Sequence, residues 1–107
     1  RDVHRALKKD GMVVSQTESP MGHPDILRTA FLEMKKVFPI VQLGWGIMPT
    51  YPTGSWTYTF ASKVHDPRKI FREPPEGTRY YSSKIHEACF TLPPFLEEIL
   101  EEGPNPA

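Results

Sequence analysis

A chain of 107 residues and 12.2 kDa can bury one modest core. Its 13 basic and 13 acidic side chains cancel, which excludes the basic excess of a general nucleic-acid binder and of a polybasic membrane-surface protein. A lone cysteine, Cys89, excludes an internal disulfide and a cysteine-built zinc site, and points to a reducing, cytoplasmic compartment.

Leu, Ile, Val and Phe supply 25 of 107 residues, more than a disordered chain carries. No apolar run approaches the roughly 18 residues that span a bilayer. The chain opens at Arg1, without Met or a signal-peptide pattern, and residues 2–9 read at once as helix. The expectation is a fragment of a longer protein.

In chain order, Val3, Ala6 and Leu7 form a short helical stripe, and Gly11 suits a left-handed cap after it. Met12-Val13-Val14-Ser15-Gln16 is a nearly continuous apolar run, expected of a strand covered on both faces. A polar loop, residues 17–22, leads to a helix start at His23-Pro24-Asp25. Ile26, Leu27, Ala30, Phe31, Met34, Val37 and Phe38 then share one face, opposite Arg28, Glu33, Lys35 and Lys36. Pro39 stops this helix.

Residues 40–48 read as a second strand, interrupted by Gly44 and Gly46. Pro49-Thr50-Tyr51-Pro52-Thr53-Gly54 is a rigid turn-rich connector, short enough to join antiparallel neighbours. Trp56, Tyr58 and Phe60 alternate with Thr57, Thr59 and Ala61, the period of a third strand. Beyond Lys63 the chain turns polar and proline-rich, with a helical turn at 68–71, a helix at 83–90 and a last helix at 95–101. Residues 103–107 are expected to fray.

A strand–helix–strand unit is expected to run parallel with a right-handed crossover, which brings both strand ends to one edge. Open α/β sheets bind ligands in the crevice beyond those ends. The 16–22 and 49–54 loops meet there. Gln16 and Glu18 come from the first; Tyr51 comes from the second, with Trp56 just beyond. An acid, amide and hydroxyl oxygens and two aromatic faces suit a cationic, partly aliphatic ligand.

Each of these residues also has a plain structural reading. Tyr51 could pack between Pro49 and Pro52, Trp56 could be core, Glu18 could cap the next helix, and Gln16 could bond backbone. His4, His23, His65 and His86 lack metal-ligand spacing, so no metal is expected. Cys89 reads as a small buried residue and Trp45 as core. Leu92-Pro93-Pro94-Phe95 reads as a helix start rather than a polyproline ligand.

Three stretches carry a family resemblance: Gln16-Thr17-Glu18-Ser19-Pro20, Pro49-Thr50-Tyr51-Pro52-Thr53-Gly54-Ser55-Trp56 with Tyr58-Thr59-Phe60-Ala61-Ser62-Lys63 behind it, and Tyr80-Tyr81-Ser82 with His86, Ala88, Phe90, Leu92, Pro93 and Phe95. In that order and spacing the chain resembles the C-terminal half of a polyamine aminopropyltransferase, the spermidine synthase family. The resemblance implies an α/β fold: half of a Rossmann-like, methyltransferase-type sheet, with a parallel strand–helix–strand unit, an antiparallel strand and a helical tail. Residues 1–63 would form the partial sheet unit, and residues 64–107 the proline-rich connector and tail of the same domain.

The activity implied is transfer of an aminopropyl group from decarboxylated S-adenosylmethionine, a co-substrate, to putrescine or a similar polyamine. No permanently bound cofactor is implied. Tyr51, Trp56, Glu18 and Gln16 are the expected substrate-binding residues. Pro20 stands where some members carry a polyamine-contacting Gln. The family's Gly-rich donor loop and its D-x-x-D-P segment have no counterpart here. The chain therefore holds no catalytic residue and is expected to be inactive alone. Residues 12–16 would lie centrally in a full-length sheet, so their free edge predicts self-association, and the family implies a homo-oligomer. The rival reading is a non-catalytic binding or assembly module built on the same fold.

Overall fold

The longest helix, α2 (Pro24–Lys35), begins with proline in its first turn and ends ahead of Pro39. The computed structural model describes residues 1–101, so the expected fraying of 103–107 lies outside the described residues. Around α2 the order is α1 (Asp2–Ala6), β1 (Met12–Gln16), α2, β2 (Ile40–Ile47), β3 (Ser55–Ser62), α3 (Ser83–Ala88) and α4 (Pro94–Glu101). The periodicity placed all of these elements to within a few residues.

The strands form one sheet in the order β1-β3-β2, with β3 antiparallel to both neighbours. β1 and β2 therefore run parallel, as expected of strands bridged by α2, but they do not pair. The reason lies in the connector. Met48 N–H donates to Gly54 O at 2.9 Å, Gly54 N–H donates to Tyr51 O at 3.0 Å, and Gly54 takes φ +74°. That tight reversal folds β3 straight back along β2, a local closure with little entropy cost. β3 thereby occupies the edge that β1 would have needed.

Leu27 and Phe31 of α2, Leu43 of β2 and Leu96 of α4 form the buried core, with Val41, Trp45, Leu92, Ile99 and Leu100 packed against it. Both α2 and α4 thus lie on one face of the sheet. Arg28, grouped by sequence with the polar face of α2, is buried instead. Its Nε donates to Ile99 O at 3.0 Å and its guanidinium meets Asp25 at 3.2 Å, so α4 covers its stem while its charge is satisfied.

On the opposite face, residues facing one another across β2 and β3 share a side: Gly44 with Tyr58 and Gly46 with Trp56. A Cβ on Gly44 would come within 2.9 Å of the Phe60 ring and 3.4 Å of Cys89 Sγ. Gly44 therefore leaves room for Cys89 and Phe90, just after α3, against β2, and Gly46 leaves room for the Tyr80 hydroxyl. Trp45 N–H donates to Cys89 O at 3.0 Å, which covers part of the β2 edge. β1 is less sheltered. Met12 and Val14 are 44% and 54% exposed, so the strand expected to be covered on both faces is covered on one. Gly11 also departs from expectation. It has no positive φ, and its value is space, since a Cβ there would lie 2.8 Å from Leu7 Cβ.

The 64–82 segment is tied down by polar contacts. The Pro67 carbonyl can only accept, so His86 Nε2 donates to it at 2.9 Å. His86 Nδ1 is then free to accept from the Tyr81 hydroxyl at 2.8 Å. Asp66 accepts from the Arg68 side chain and backbone N–H, which holds its carboxyl at about 2. A depressed carboxylate contributes stability above its ordinary value near 4 and loses it as pH falls.

Two outcomes follow from this packing. Leu96→Ala is expected to lower the unfolding free energy in urea by about 2–5 kcal/mol, with half-exposed Phe95→Ala as a milder control. Asp66→Asn is expected to lower the melting temperature at neutral pH, and the gap to the unsubstituted chain should close as pH falls from about 4 to about 2.

Candidate functional site

The carboxyl ends of β1 and β2 emerge on either side of the start of β3, with Gln16 opposite Tyr58 and Ile47 opposite Ser55. The two loops expected to meet do so through side chains: Ser19 Oγ lies 2.8 Å from Thr53 Oγ1. Ser19 Oγ also accepts from Met21 and Gly22 N–H, both at 3.1 Å. It therefore organises its own turn.

Just after β1 the ladder is irregular. Thr17 N–H donates to Thr57 O at 2.9 Å, but Thr57 N–H donates to Glu18 O at 3.1 Å. Two residues thus stand opposite one, which is a bulge, a device that redirects side chains at sheet ends. Glu18 takes φ +77°, the one non-glycine residue at positive φ among those described. That conformation costs a residue with a Cβ about 1–2 kcal/mol, so the surroundings must hold it. Glu18 does not cap α2, whose N-cap is His23 without a side-chain bond. Its carboxylate has no hydrogen-bond or ion-pair partner among the described residues.

Gln16, Trp56 and Tyr51 come together. Trp56 Nε1 donates to Gln16 Oε1 at 2.9 Å, and the Tyr51 ring stacks on Trp56 at 4.0 Å between centroids, inclined by 28°. This revises the reading of Gln16. Its amide oxygen is engaged by the indole, so Gln16 orients Trp56 and offers its two amide hydrogens outward.

Tyr51 alone of the four lines an open cleft of about 800 Å³ between the β2–β3 turn and the tail. Trp45, Gly46 and Ile47 line one part of it; Tyr80, Ile85 and Cys89 line another. A second cavity of about 380 Å³ continues under α3, past Tyr58 and Phe60 to Phe90. Sequence reasoning missed this tail wall. The signal was the Gly44 and Gly46 pair: a Cβ on Gly46 would lie 3.1 Å from the Tyr80 hydroxyl. Burial, and then the neighbouring Tyr51 and Tyr80 phenols, push the Tyr58 hydroxyl up, so it stays neutral. Burial likewise raises the Cys89 thiol, which removes thiolate character. Among the described residues no group of three His, Cys, Asp or Glu could hold a metal ion, and no helix is long and apolar enough to cross a membrane.

The model of the spermine/spermidine synthase domain matches residues 1–72. The chain belongs to the spermine/spermidine synthase family. It is 46% identical over 103 residues to a polyamine aminopropyltransferase of Moorella thermoacetica, covering 94% of this chain and 36% of that relative. A Bacillus cereus polyamine aminopropyltransferase is 40% identical over 101 residues, covering 92% and 37%. Among solved structures, spermidine synthase from Thermotoga maritima superposes with a TM-score of 0.77 at 38% identity, covering 92% of this chain and 36% of that one. A spermidine synthase in complex with the transition-state analogue AdoDATO superposes at 0.78, with 38% identity and coverage of 92% and 35%. The chain thus spans little more than a third of the length of these family members.

The aromatic pair at the centre of the site makes a measurable claim. A double-mutant cycle of Tyr51→Ala and Trp56→Ala, followed by thermal unfolding, is expected to give a coupling of about 0.5–1.5 kcal/mol. Gln16→Leu is expected to shift the Trp56 indole N–H resonance while leaving that of Trp45 in place, since Trp45 donates to Thr91 O instead.

Proposed function

We propose that this chain is the acceptor-binding, C-terminal part of a polyamine aminopropyltransferase. The observation that carries the reading is the meeting of Gln16, Tyr51 and Trp56 at the shared end of two parallel strands, in a chain of this family whose loop after β1 carries Glu18, a carboxylate with no partner among the described residues. Glu18 holds the charged end of a diamine such as putrescine. The Tyr51 and Trp56 faces contact its methylenes and attract its charge. Tyr51 contributes a hydroxyl that bonds an amine.

In the full-length protein the other, neutral amine attacks the methylene beside the sulfonium of decarboxylated S-adenosylmethionine. A C–N bond forms, the C–S bond breaks, methylthioadenosine leaves, and the attacking nitrogen loses a proton. The residues of this chain contribute position, holding the acceptor in line. Donor binding and proton removal fall to residues that this sequence does not contain, so the chain alone turns over no substrate. The unsheltered β1 edge supports self-association of the chain, and the compartment that fits its single reduced cysteine is the cytoplasm.

Isothermal titration with putrescine tests the reading. The chain is expected to bind it, Glu18→Gln and Tyr51→Phe are expected to weaken binding, and neither methylthioadenosine nor spermidine is expected to form when the donor is added. Failure to bind would favour the binding or assembly module. Product formation would overturn the assignment of catalysis to the rest of the protein.

A further inference from the structure

The bulge at the end of β1 is held by buried hydroxyls that the polyamine reading leaves without a role. Thr17, Thr57 and Thr59 are buried, at 2%, 0% and 0% exposure. Thr57 Oγ1 donates to Glu18 O at 2.8 Å. A hydroxyl has one hydrogen, so in the 2.8 Å pair of Thr17 and Thr57 it is Thr17 that donates. Thr17 has then spent its own hydrogen, and Thr59 donates to Thr17 at 3.1 Å. The hydroxyls run in one direction, Thr59 to Thr17 to Thr57, and end on the Glu18 carbonyl. That carbonyl also accepts the Thr57 N–H, so both of its lone pairs are engaged. Hydrogen bonds in such a chain polarise one another in a low-dielectric interior.

Simple packing would be met by valine, which has the shape of threonine. Hydroxyls at three buried positions, all converging on the one strained non-glycine residue described, serve the backbone of that residue. We infer that Thr57, backed by Thr17 and Thr59, is a positioning residue: it holds Glu18 in the left-handed conformation that presents its carboxylate to the acceptor ammonium. The ligand half of this inference rests on the polyamine reading above. The conformational half does not.

The test compares Thr57→Val, which keeps shape and removes the donor, with Thr57→Ser, which keeps the donor. Two readouts are taken on the 107-residue chain. One is the strong intraresidue amide–Hα NOE that a residue at positive φ produces, observed at Glu18. The other is the dissociation constant for putrescine. Thr57→Val is expected to reduce this strong NOE to the weaker one of a residue at negative φ and to weaken putrescine about tenfold, the scale of one lost buried hydrogen bond. Thr57→Ser is expected to retain both. A Thr57→Val chain that keeps the strong NOE, or loses it with unchanged affinity, overturns the inference. If Thr57→Val does not fold, Thr17→Val removes the donor one step back. It is expected to weaken putrescine by a smaller factor, and unchanged affinity there counts against the relay. An unsubstituted chain that binds no putrescine removes the acceptor site and the ligand half with it. The NOE then still decides whether Thr57 holds Glu18.

Discussion

β3 bonds to β1 along one edge and to β2 along the other, and the rest of the molecule is arranged around that shared ladder. Because both neighbours run against β3, their carboxyl ends reach the same end of the sheet, where β3 begins. The loop after β1 and the turn after β2 are therefore brought together by backbone hydrogen bonds alone. The side chains then refine the meeting: Ser19 against Thr53, Gln16 against Trp56, and the Tyr51 ring on the indole. A site assembled this way gains its precision from strands, with the loops resting on them.

The two faces of the sheet do different work. One carries the core, where α2 and α4 bury Leu27, Phe31, Leu43 and Leu96, and where Arg28 links the two helices through Ile99 O. The threonines of β3 point to this side, and their hydroxyls bond that of Thr17 and a backbone carbonyl, and no buried side-chain polar atom is left unmatched among the described residues. The other face lacks side chains at Gly44 and Gly46, and the aromatic tail fills only part of the space. Stability is concentrated on the first face and open volume on the second. That division suits a binding surface backed by a firm core.

Glu18 joins the two themes. Its positive φ is a local cost that only the tertiary structure can meet, through a bulge and a buried hydroxyl chain that reaches it from Thr57, on a strand about forty residues away. Strain retained at a sheet end beside two stacked aromatics is where function is to be sought in a fold of this kind.

Much of this was legible in the sequence. Alternation from Trp56 to Ala61 marked β3, the stripe from Ile26 to Phe38 marked α2, and Pro39 and Gly54 marked where they stop and turn. Those features are local, set by side-chain period and by the backbone limits of proline and glycine, so nearby residues suffice to decide them. The family was legible too, because its motifs are short and contiguous. What tertiary structure decided was every question of partners. The insertion of β3 between β1 and β2, the burial of Arg28 under α4, the engagement of the Gln16 oxygen by Trp56, and the tail wall of the cleft all join residues far apart in the chain. Such contacts depend on which surfaces remain free once the hairpin has closed, and periodicity along a single segment carries no information about that.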